Sequence, residues 1–324
     1  MTGSDNLFIH VEENGISGVG EMAPGSTEGA DTPKKGEKML ADFCASEKSS
    51  NSIQENYDNA IEAGVAPCVV AALDMALWDL RAKQASLPLY KLLGLSRKVV
   101  PTSVTVGINP PEVVRERIPL LLDGTGVKAL KIKLGSPEGL DADQEMFSAV
   151  LEMTKNRSTI IRVDANGGWS VPEAKKMMQW LADRGVEYIE QPLKKGQEDD
   201  LIHLFKDRPL PIYVDESCRV SSDIPNFADR VDGVNLKLMK CGGITEALRI
   251  VSTARAFGLK TMIGCMGESS VSIAAGASIG SLFDYIDLDS HLNLDPDPCT
   301  GAEMTDGRIL PSNNLGHGGS ITNA

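Results

Sequence analysis

Residues 129–133 read ALKIK, and four further runs of the same kind follow: IIRVD at 160–164, YIE at 188–190, YVDE at 213–216 and VNLK at 234–237. Each run is rich in apolar and β-branched residues, as the buried strands of a parallel sheet are. Each ends in charged residues, and consecutive ends are about one strand-plus-helix unit apart. The repeat predicts an α/β fold built from consecutive β/α units.

The same pattern extends in both directions from this region and gives eight predicted strands. They are Thr102–Gly107, Ala129–Leu134, Thr159–Asp164, Glu187–Glu190, Ile212–Asp215, Gly233–Lys237, Lys260–Ile263 and Tyr285–Asp287. Helical segments such as Glu173–Ala182 and Thr245–Ala256 lie between them. Eight strands alternating with helices favour a TIM-like (β/α) barrel over a doubly wound sheet, although periodicity alone does not exclude the sheet.

The N-terminal part of the chain has a different pattern. Two β-like runs, Leu7–Glu13 and Ile16–Met22, are joined by Asn14-Gly15, a strong hairpin signal. A stretch rich in Gly, Pro, Thr and Lys then predicts a loop, and Pro67 begins a predicted helix. We expect an α+β capping domain at residues 1–99, a barrel domain at 100–290, and a C-terminal segment at 291–324 that returns to the capping domain.

Length and composition exclude several classes of protein. A chain of 324 residues suits a barrel of about 200–250 residues with a smaller second domain. A net charge of −13 disfavours nucleic acid and membrane surfaces as partners. The six cysteines lack the short spacings of a disulfide framework or zinc site. With no secretory signal and no apolar run of about 20 residues, we expect a cytoplasmic protein.

Three acidic residues stand at the ends of three consecutive predicted strands: Asp164, Glu190 and Asp215. In a barrel these ends meet at one mouth, where barrel enzymes keep their chemistry. Converging carboxylates repel each other unless a cation lies among them, and an all-oxygen donor set favours Mg²⁺. Any one of these acids alone could instead cap the helix that follows it.

Lysines stand on the strands to either side of these acids. Lys131 and Lys133 precede them, and Lys237 follows them. An ammonium near other cations has a lowered pKa, so one lysine can act as a base while the opposite one acts as an acid. This arrangement moves a proton between the two faces of one carbon. Lys240 lies one turn further on, where it neutralises acids or lies in solvent.

The motifs KIK, DANGGW, EQP, DES, KLMKCGG and CMGESS, in this order, resemble the enolase superfamily, and within it the muconate-lactonizing subgroup. AALDMALWDLRAKQASLPLYKLLG resembles the family's capping domain. The resemblance implies a modified (β/α)7β barrel and a Lys base working with Mg²⁺ and an enediolate. The roles that it implies for individual residues are Mg²⁺ ligation by Asp164, Glu190 and Asp215, acid/base catalysis by Lys133 and Lys237, binding of the substrate carboxylate by Lys131 and Thr105, and orientation of these groups by Asn166 and Glu216.

Asp287 and Asp289 bear on the choice of substrate. Leu288 between them points the other way, so both carboxylates face one side of the last strand. Two more acids in an acidic site suggest a cationic substrate group, unless they form salt bridges to a loop. The pair is similar to that of dipeptide epimerases of the L-Ala-D/L-Glu epimerase type, where it holds the dipeptide's ammonium group.

The predicted function is therefore Mg²⁺-dependent epimerisation of a dipeptide at the α-carbon of its C-terminal residue. It proceeds through an enediolate, with proton transfer by two lysines. Alternatives within the subgroup are o-succinylbenzoate synthase, muconate cycloisomerase and N-succinylamino acid racemase. A catalytically idle binding protein is the alternative from another class, and the lysines on both sides argue against it.

The sequence departs from the family at its start. The family's capping domain begins with one more strand and a mobile loop, whereas here only Met1–Asn6 precede Leu7. The strand Leu7–Glu13 would then present an unpaired edge, which invites pairing with another chain. We expect either a truncated product with weak activity or a homo-oligomer in which a neighbouring subunit covers this edge.

Overall fold

The computed structural model describes residues 3–46 and 52–322, and it begins with the predicted hairpin. Strands β1 (Leu7–Glu13) and β2 (Ile16–Met22) pair antiparallel. Asn14 and Gly15 both have positive φ, 53° and 76°, as a two-residue hairpin turn of this kind requires. Four helices follow: α1 (Pro33–Cys44), α2 (Ile53–Glu62), α3 (Pro67–Gln84) and α4 (Leu89–Leu92).

The predicted loop occupies only residues 23–32, and helices α1 and α2 lie between it and Pro67, where no helix was predicted. Thr32 caps the start of α1: its hydroxyl accepts from the Lys35 amide at 3.3 Å, and a proline occupies the first helical position. Ser52 caps α2 in the same way through Glu55. Caps of this kind mark helix starts in sequence. Gly36, Met39, Leu40 and Phe43 of α1 also have the spacing of one helical face, so the sequence carries a helix signal here.

Helix α3 packs directly on β2, with its backbone close to the strand. A Cβ at Gly18 would clash with the carbonyl of Ala76, and one at Gly20 would clash with the carbonyl of Ala72. Most of α3 is buried, which explains why its sequence is apolar around most of its circumference. Glycine on the strand and alanine on the helix therefore set this close approach.

The barrel is built from alternating strands and helices. Its strands are β3 (Ser103–Val106), β4 (Ala129–Lys133), β5 (Ile160–Asp164), β6 (Ile189–Glu190), β7 (Ile212–Val214), β8 (Gly233–Lys237), β9 (Lys260–Gly264) and β10 (Tyr285–Asp287). Its α-helices are α5 (Pro111–Leu122), α6 (Leu140–Thr154), α7 (Val171–Ala182), α8 (Ile202–Phe205), α9 (Leu238–Cys241), α10 (Ile244–Ala256) and α11 (Ser270–Ser278). Short 3₁₀ helices lie at Glu198–Leu201, Ser221–Asn226, Gly280–Leu282 and Ser290–Asn293.

The eight strands form one parallel sheet whose order follows the chain from β3 to β10. A parallel bridge between Thr102 and Ile286 joins the first strand to the last. Chain order and closure together exclude the doubly wound alternative, in which the strand order reverses. The prediction of a TIM-like barrel with an N-terminal domain is confirmed.

An aromatic layer fills the barrel below its mouth. Tyr188, Tyr213 and Tyr285 pack with ring centroids 4.9–5.4 Å apart. The buried guanidinium of Arg162 lies 4.8 Å from the Tyr285 ring and donates to Glu187 and Ser103, both at 2.8 Å. This layer closes the barrel beneath the charged groups that face the mouth.

The C-terminal segment forms two small antiparallel pairs, β11 (Cys299–Thr300) with β14 (Ser320–Ile321) and β12 (Met304–Thr305) with β13 (Arg308–Ile309). Its GHGG stretch returns to the hairpin and α3. His317 is buried, its amide donates to Asp79 at 2.9 Å, and its Nε2 lies 2.8 Å from the Val19 carbonyl. The described helices include none long and apolar enough to cross a membrane.

Candidate active site

Strand register brings the predicted charged residues to one level at the barrel mouth. Lys133 is paired in register with Asp164, and Asp164 with Glu190. On the other side of the barrel, Lys237 and Asp287 both lie level with Gly264. Since β4 and β8 are the second and sixth of eight strands, Lys133 and Lys237 project from opposite walls.

Lys131 is the centre of a fully buried ion cluster. Its Nζ lies 2.8 Å from Glu190 Oε2, 2.9 Å from Asp287 Oδ2 and 3.2 Å from Asp164 Oδ2. Burial alone lowers the pKa of a lysine, but the carboxylates of Asp287, Glu190 and Asp164 outweigh it and hold the pKa well above the usual value. Lys131 is therefore a permanent positive charge in this cluster.

Asp215 joins two further lysines. One of its carboxylate oxygens lies 2.8 Å from Lys237 Nζ, and the other is hydrogen-bonded by Lys240. Burial raises the pKa of Asp215, but Lys237 and Lys240 outweigh it and hold the pKa well below the usual range. Burial lowers the pKa of Lys237, and Asp215 more than reverses this. Asp215 is thus the fixed anion beside Lys237.

Glu190 differs from the other two acids in its pKa. Burial raises the pKa of Glu190 to about 7, even though Lys131 acts in the opposite direction. For Asp164, Lys131 and Lys133 outweigh burial and lower the pKa. Asp164 and Asp215 both raise the pKa of Glu190 through their negative charges. The three predicted ligands therefore form one electrostatically coupled group.

Lys133 is the more accessible of the two candidate acid/base lysines. Its side chain is 34% exposed, lies 3.6 Å from Asp164 and donates to Asn166 Oδ1 at 3.1 Å. Asn166 has a φ of 49°, and its own amide donates to Asp164 at 2.9 Å. Asparagine tolerates this left-handed conformation better than most residues. The turn after β5 thus presents the Asn166 side chain to Lys133.

Asp143 on α6 holds the two loops that follow β4 and β5. Its carboxylate accepts from the amides of Gly135 and Ser136 at 2.9–3.0 Å, and from Trp169 Nε1 at 2.9 Å. Gly135 and Gly168 lie so close that a Cβ at Gly168 would clash with the Gly135 backbone. The glycines and the tryptophan in KLGS and DANGGW therefore allow the loops after β4 and β5 to pack closely against each other.

Asp287 is the last residue of β10, and Asp289, predicted on the same strand, lies two residues beyond its end. Asp287 contacts Lys131, while Asp289 Oδ2 accepts from the Thr105 amide at 2.6 Å. Leu288 points away, towards α11, where it would meet a Cβ placed at Gly276. Burial, followed by the charge of Asp287, raises the pKa of Asp289 to about 6. The pair is thus a buried, closely coupled acidic patch.

The donor set fits Mg²⁺ in chemistry. The described residues show no hydrogen-bond partner for the buried Oδ2 of Asp164 or Oε2 of Glu190, although Lys131 is near both. Buried carboxylate oxygens of this kind, here close to the Lys131 ammonium, are what a hard cation binds. Within residues 3–46 and 52–322, no group of three or more His, Cys, Asp or Glu side chains is arranged to hold a metal ion. Lysines pair with Glu190 and Asp215.

Three site residues were missed or undervalued in the sequence. Lys240 is buried, and besides Asp215 it donates to the carbonyls of Cys218 and Asn235. Asn235 donates to Glu190 Oε1 at 2.8 Å. Gln191 accepts from the Asp215 amide at 2.8 Å. The period of two along β8 could have revealed Asn235, two residues before Lys237, whereas the Gln191 contact depends on tertiary structure.

Glu216, the remaining predicted residue, lies near Asp215 and Asp164, and the described part of the chain shows no lysine paired with it. Its buried Oε2 has no hydrogen-bond partner among the described residues. Burial raises its pKa, and the charges of Asp215 and Asp164 raise it further.

Family comparisons agree with this geometry. A family described as "Enolase C-terminal domain-like" matches residues 114–324. The family "Mandelate racemase / muconate lactonizing enzyme, N-terminal domain" matches residues 2–94. The chain belongs to the enolase superfamily. Both the barrel and the N-terminal domain of this superfamily are therefore represented in it.

Relatives within the enolase superfamily are similar over nearly the whole chain. A hydrophobic dipeptide epimerase from Roseobacter litoralis is 69% identical over 99% of this chain and 93% of its own length. One from a Flavobacteria bacterium is 62% identical over 97% of this chain and 90% of its own length. The crystal structure of a dipeptide epimerase from Enterococcus faecalis, complexed with Mg and L-Leu-L-Tyr, is 32% identical with a TM-score of 0.88, and the match covers 98% and 92% of the two chains.

Proposed function

We propose that this protein is a Mg²⁺-dependent dipeptide epimerase that inverts the α-carbon of the C-terminal residue. The observation that carries the proposal is the position of Lys133 and Lys237 on opposite walls of one mouth, with three acids on the strands between them. A carbon held between two lysines can lose a proton to one face and regain one on the other.

Asp164, Glu190 and Asp215 are the proposed Mg²⁺ ligands. Bound there, Mg²⁺ supplies positive charge that offsets the negative charge developing on the substrate carboxylate and lowers the pKa of the nearby lysines. Asn235 holds Glu190, and Gln191 holds the backbone of Asp215, so both carboxylates are oriented by the protein before substrate binds.

The proton transfer is assigned to Lys133 and Lys237. One of them, as the neutral amine, takes the α-proton, and the electron pair of the broken C–H bond enters the carboxylate to give an enediolate. The opposite lysine, as the ammonium, delivers its proton to the other face and restores the carboxylate. Asp215 holds the pKa of Lys237 above its usual value, so a cation bound to Asp215 would be needed to favour the amine form required of a base.

The remaining predicted residues position the dipeptide. Asp287 and Asp289 take its ammonium group, so that the far end of the substrate is fixed while the reacting carbon lies between the lysines. Lys131 and Thr105 are assigned to the substrate carboxylate. Asn166 is assigned to orient Lys133, which donates a hydrogen bond to it. Glu216, beside Asp215, is assigned to orient the ligands and lysines there.

The proposed substrate is a dipeptide made of two apolar amino acids. The two relatives reported above, at 69% and 62% identity, are hydrophobic dipeptide epimerases. Two alternatives of the subgroup, o-succinylbenzoate synthase and muconate cycloisomerase, use substrates without an ammonium group, and N-succinylamino acid racemase uses substrates whose α-amino group is acylated. The buried pair of Asp287 and Asp289 would repel such anions.

A proton-exchange screen tests the function. The protein with Mg²⁺ in D₂O is incubated with L-Ala-L-Leu, L-Leu-L-Tyr, N-succinyl-L-leucine and o-succinylbenzoate's precursor, and products are followed by NMR. We expect deuterium at the C-terminal α-carbon of the dipeptides, together with formation of the epimer. Exchange confined to the N-succinyl amino acid, or dehydration of the precursor alone, would overturn the proposal in favour of that alternative.

A further inference from the structure

The loop that leaves β9 lies between the two halves of the candidate site. We call residues Cys265–Ser269 the β9 loop; it joins β9 to α11. Strand β9 lies between β8, which carries Lys237, and β10, which carries Asp287. Gly264, the last residue of β9, is level with both. The β9 loop therefore starts midway between the catalytic lysine and the acidic pair.

Two side chains of the β9 loop touch these two groups. Met266 Sδ lies 4.0 Å from Lys237 Nζ. Cys265 Sγ donates to the Asp287 carbonyl at 3.3 Å and lies 3.7 Å from Asp289 Oδ1. Both residues are partly buried. Met266 is thus the residue of the loop that lies beside Lys237.

Glu268 fixes the main chain of this loop. One carboxylate oxygen accepts from the Met266 amide at 2.6 Å, and the other is hydrogen-bonded by Ser272 of α11. The Glu268 carbonyl accepts from the Ser290 hydroxyl at 2.7 Å, next to Asp289. Glu268 is buried and does not bond to any lysine or proposed ligand among the described residues. Its bonds hold Met266 in place.

The N-terminal domain supports the same loop from outside. Glu21 on β2 accepts from the Ser269 amide at 2.9 Å and the Ser269 hydroxyl at 2.8 Å. Asn6 donates to both Glu21 and the Gly267 carbonyl, at 2.7 and 2.8 Å. The loop is therefore held at its start, middle and end before any substrate arrives, as a selective binding wall must be.

We infer that Met266 is a specificity-determining residue whose side chain forms the wall that packs against the side chain of the dipeptide's C-terminal residue. This rests on the proposed function, which places that residue's α-carbon beside Lys237. Methionine is apolar, flexible and polarizable, so it adapts to apolar side chains of different shapes and offers no partner to a charged one. Glu268 is the positioning residue for this wall.

The test compares substrates that differ only in the side chain concerned. For the Mg²⁺-loaded wild type and Met266→Ala, kcat/KM is measured on L-Ala-L-Leu and L-Ala-L-Ala. The ratio of the two values should fall about tenfold or more in Met266→Ala, since loss of a few methylenes of apolar contact has effects of that size. Met266→Leu, which keeps an apolar side chain of similar volume, should change the ratio much less.

Glu268 gives a second readout. Glu268→Gln keeps an oxygen acceptor for the Met266 amide, whereas Glu268→Ala removes it. Glu268→Ala should therefore lower the L-Ala-L-Leu to L-Ala-L-Ala ratio, mainly through KM for the leucine dipeptide, and Glu268→Gln should restore it. Thermal unfolding of each variant identifies any that fail to fold.

The outcomes separate this inference from the proposed function. Equal losses of Met266→Ala on both dipeptides would overturn the inference and make Met266 a support for Lys237. If the wild type exchanges no dipeptide proton at all, the proposed function fails. Calorimetric titration with the same dipeptides then decides the inference by itself, because equal affinity ratios in wild type and Met266→Ala would exclude a binding wall.

Discussion

Lys240 shows how a single residue supports the site without touching the reacting carbon. Its ammonium is buried and donates to Asp215 and to the carbonyls of Cys218 and Asn235. A buried ammonium is tolerated when all of its protons have acceptors. Removing it leaves its buried partner uncompensated, which destabilises the folded state. Lys240 therefore stabilises the ionised Asp215 that stands beside Lys237.

Replacing Lys240 by methionine tests this role. The apolar stem is kept and the charge is lost, so the Asp215 carboxylate and the carbonyls of Asp215, Cys218 and Asn235 lose their donor. We expect the free energy of unfolding to fall by about 3–5 kcal/mol, the range for breaking a buried ion pair. Urea unfolding at neutral pH measures it. Lys35→Met, at an exposed ion pair in α1, is the matched control, and an equal effect in both would refute the role.

The single substitution Asp289→Asn tests whether the pair of Asp287 and Asp289 binds the ammonium group of the dipeptide. Loss of one charge should weaken binding of the dipeptide ammonium, lowering kcat/KM for free dipeptides much more than for N-acylated amino acids. Steady-state kinetics on both substrate types measure the difference. If both fall alike, the hydrogen bond from Thr105 would be the main function of Asp289 and its role would be structural.

At the scale of elements, carboxylates of the N-terminal domain cap helices of the barrel. Asp74 on α3 accepts from the amide and hydroxyl of Thr245 at the start of α10, at 3.0 and 2.5 Å. Trp78 donates to the same hydroxyl at 3.0 Å. Glu21 caps the start of α11 in the same way, because its carboxylate accepts from the amide and hydroxyl of Ser269. The two domains are therefore joined through the unpaired amides of helix N-termini.

The Asp74 cap predicts a pH dependence of stability. Burial raises the pKa of Asp74 from 3.8 to about 7, despite the bonds from Thr245. The folded state then binds a proton that the unfolded state has already released, so stability falls as pH rises between these two values. Asp74→Asn cannot titrate. The stability of wild type relative to Asp74→Asn should be lower at pH 8 than at pH 5, as measured by urea unfolding.

A pH-independent difference between the two proteins would show that Asp74 has the same pKa folded and unfolded. Asp58→Asn, on the exposed face of α2, is a control for the loss of a carboxylate that is not buried.

The strands and the charged residues at their ends could be predicted from the sequence, whereas two helices were missed and several loop contacts of the site could not be predicted. The hairpin and the eight strands follow from period-two and apolar patterns, because buried strands leave a strong signal. Helices α1 and α2 were missed, although Met39, Leu40 and Phe43 of α1 and Ile53, Tyr57 and Ile61 of α2 have helical spacing. The lysines and acids stood out at strand ends. Gln191, Asp143 and Glu268 did not, because their role depends on which loops meet in space.

At the scale of the whole molecule, Asp79 joins three parts of the chain. This buried carboxylate on α3 accepts from the amides of Val19 and His317 and from Lys83, at 2.6–3.0 Å. The Gly319 amide donates to His317 Nδ1, so the ring proton is on Nε2, which donates to the Val19 carbonyl. Hairpin, helix and C-terminal segment therefore meet at one carboxylate.

Asp79→Ala should loosen this junction. Two buried amides lose their acceptor, each at a cost of about 1–3 kcal/mol. We expect a lower unfolding midpoint in urea and faster proteolytic cleavage in the C-terminal segment, detected by mass spectrometry. Lys83→Met, which removes only the partly exposed partner, should have a smaller effect. Unchanged cleavage in Asp79→Ala would mean that β11 and β14 alone hold the segment.

The central claim is that Lys133 and Lys237 serve opposite faces of one α-carbon. It is tested most directly by NMR of L-Ala-L-Leu and L-Ala-D-Leu in D₂O with Lys133→Ala and Lys237→Ala, with Lys260→Ala at the first residue of β9 as control. We predict that neither site variant forms the epimer, that each exchanges the α-proton of at most one of the two dipeptides, and that the control behaves like wild type. Epimer formed by either site variant at a rate near that of wild type would contradict the account.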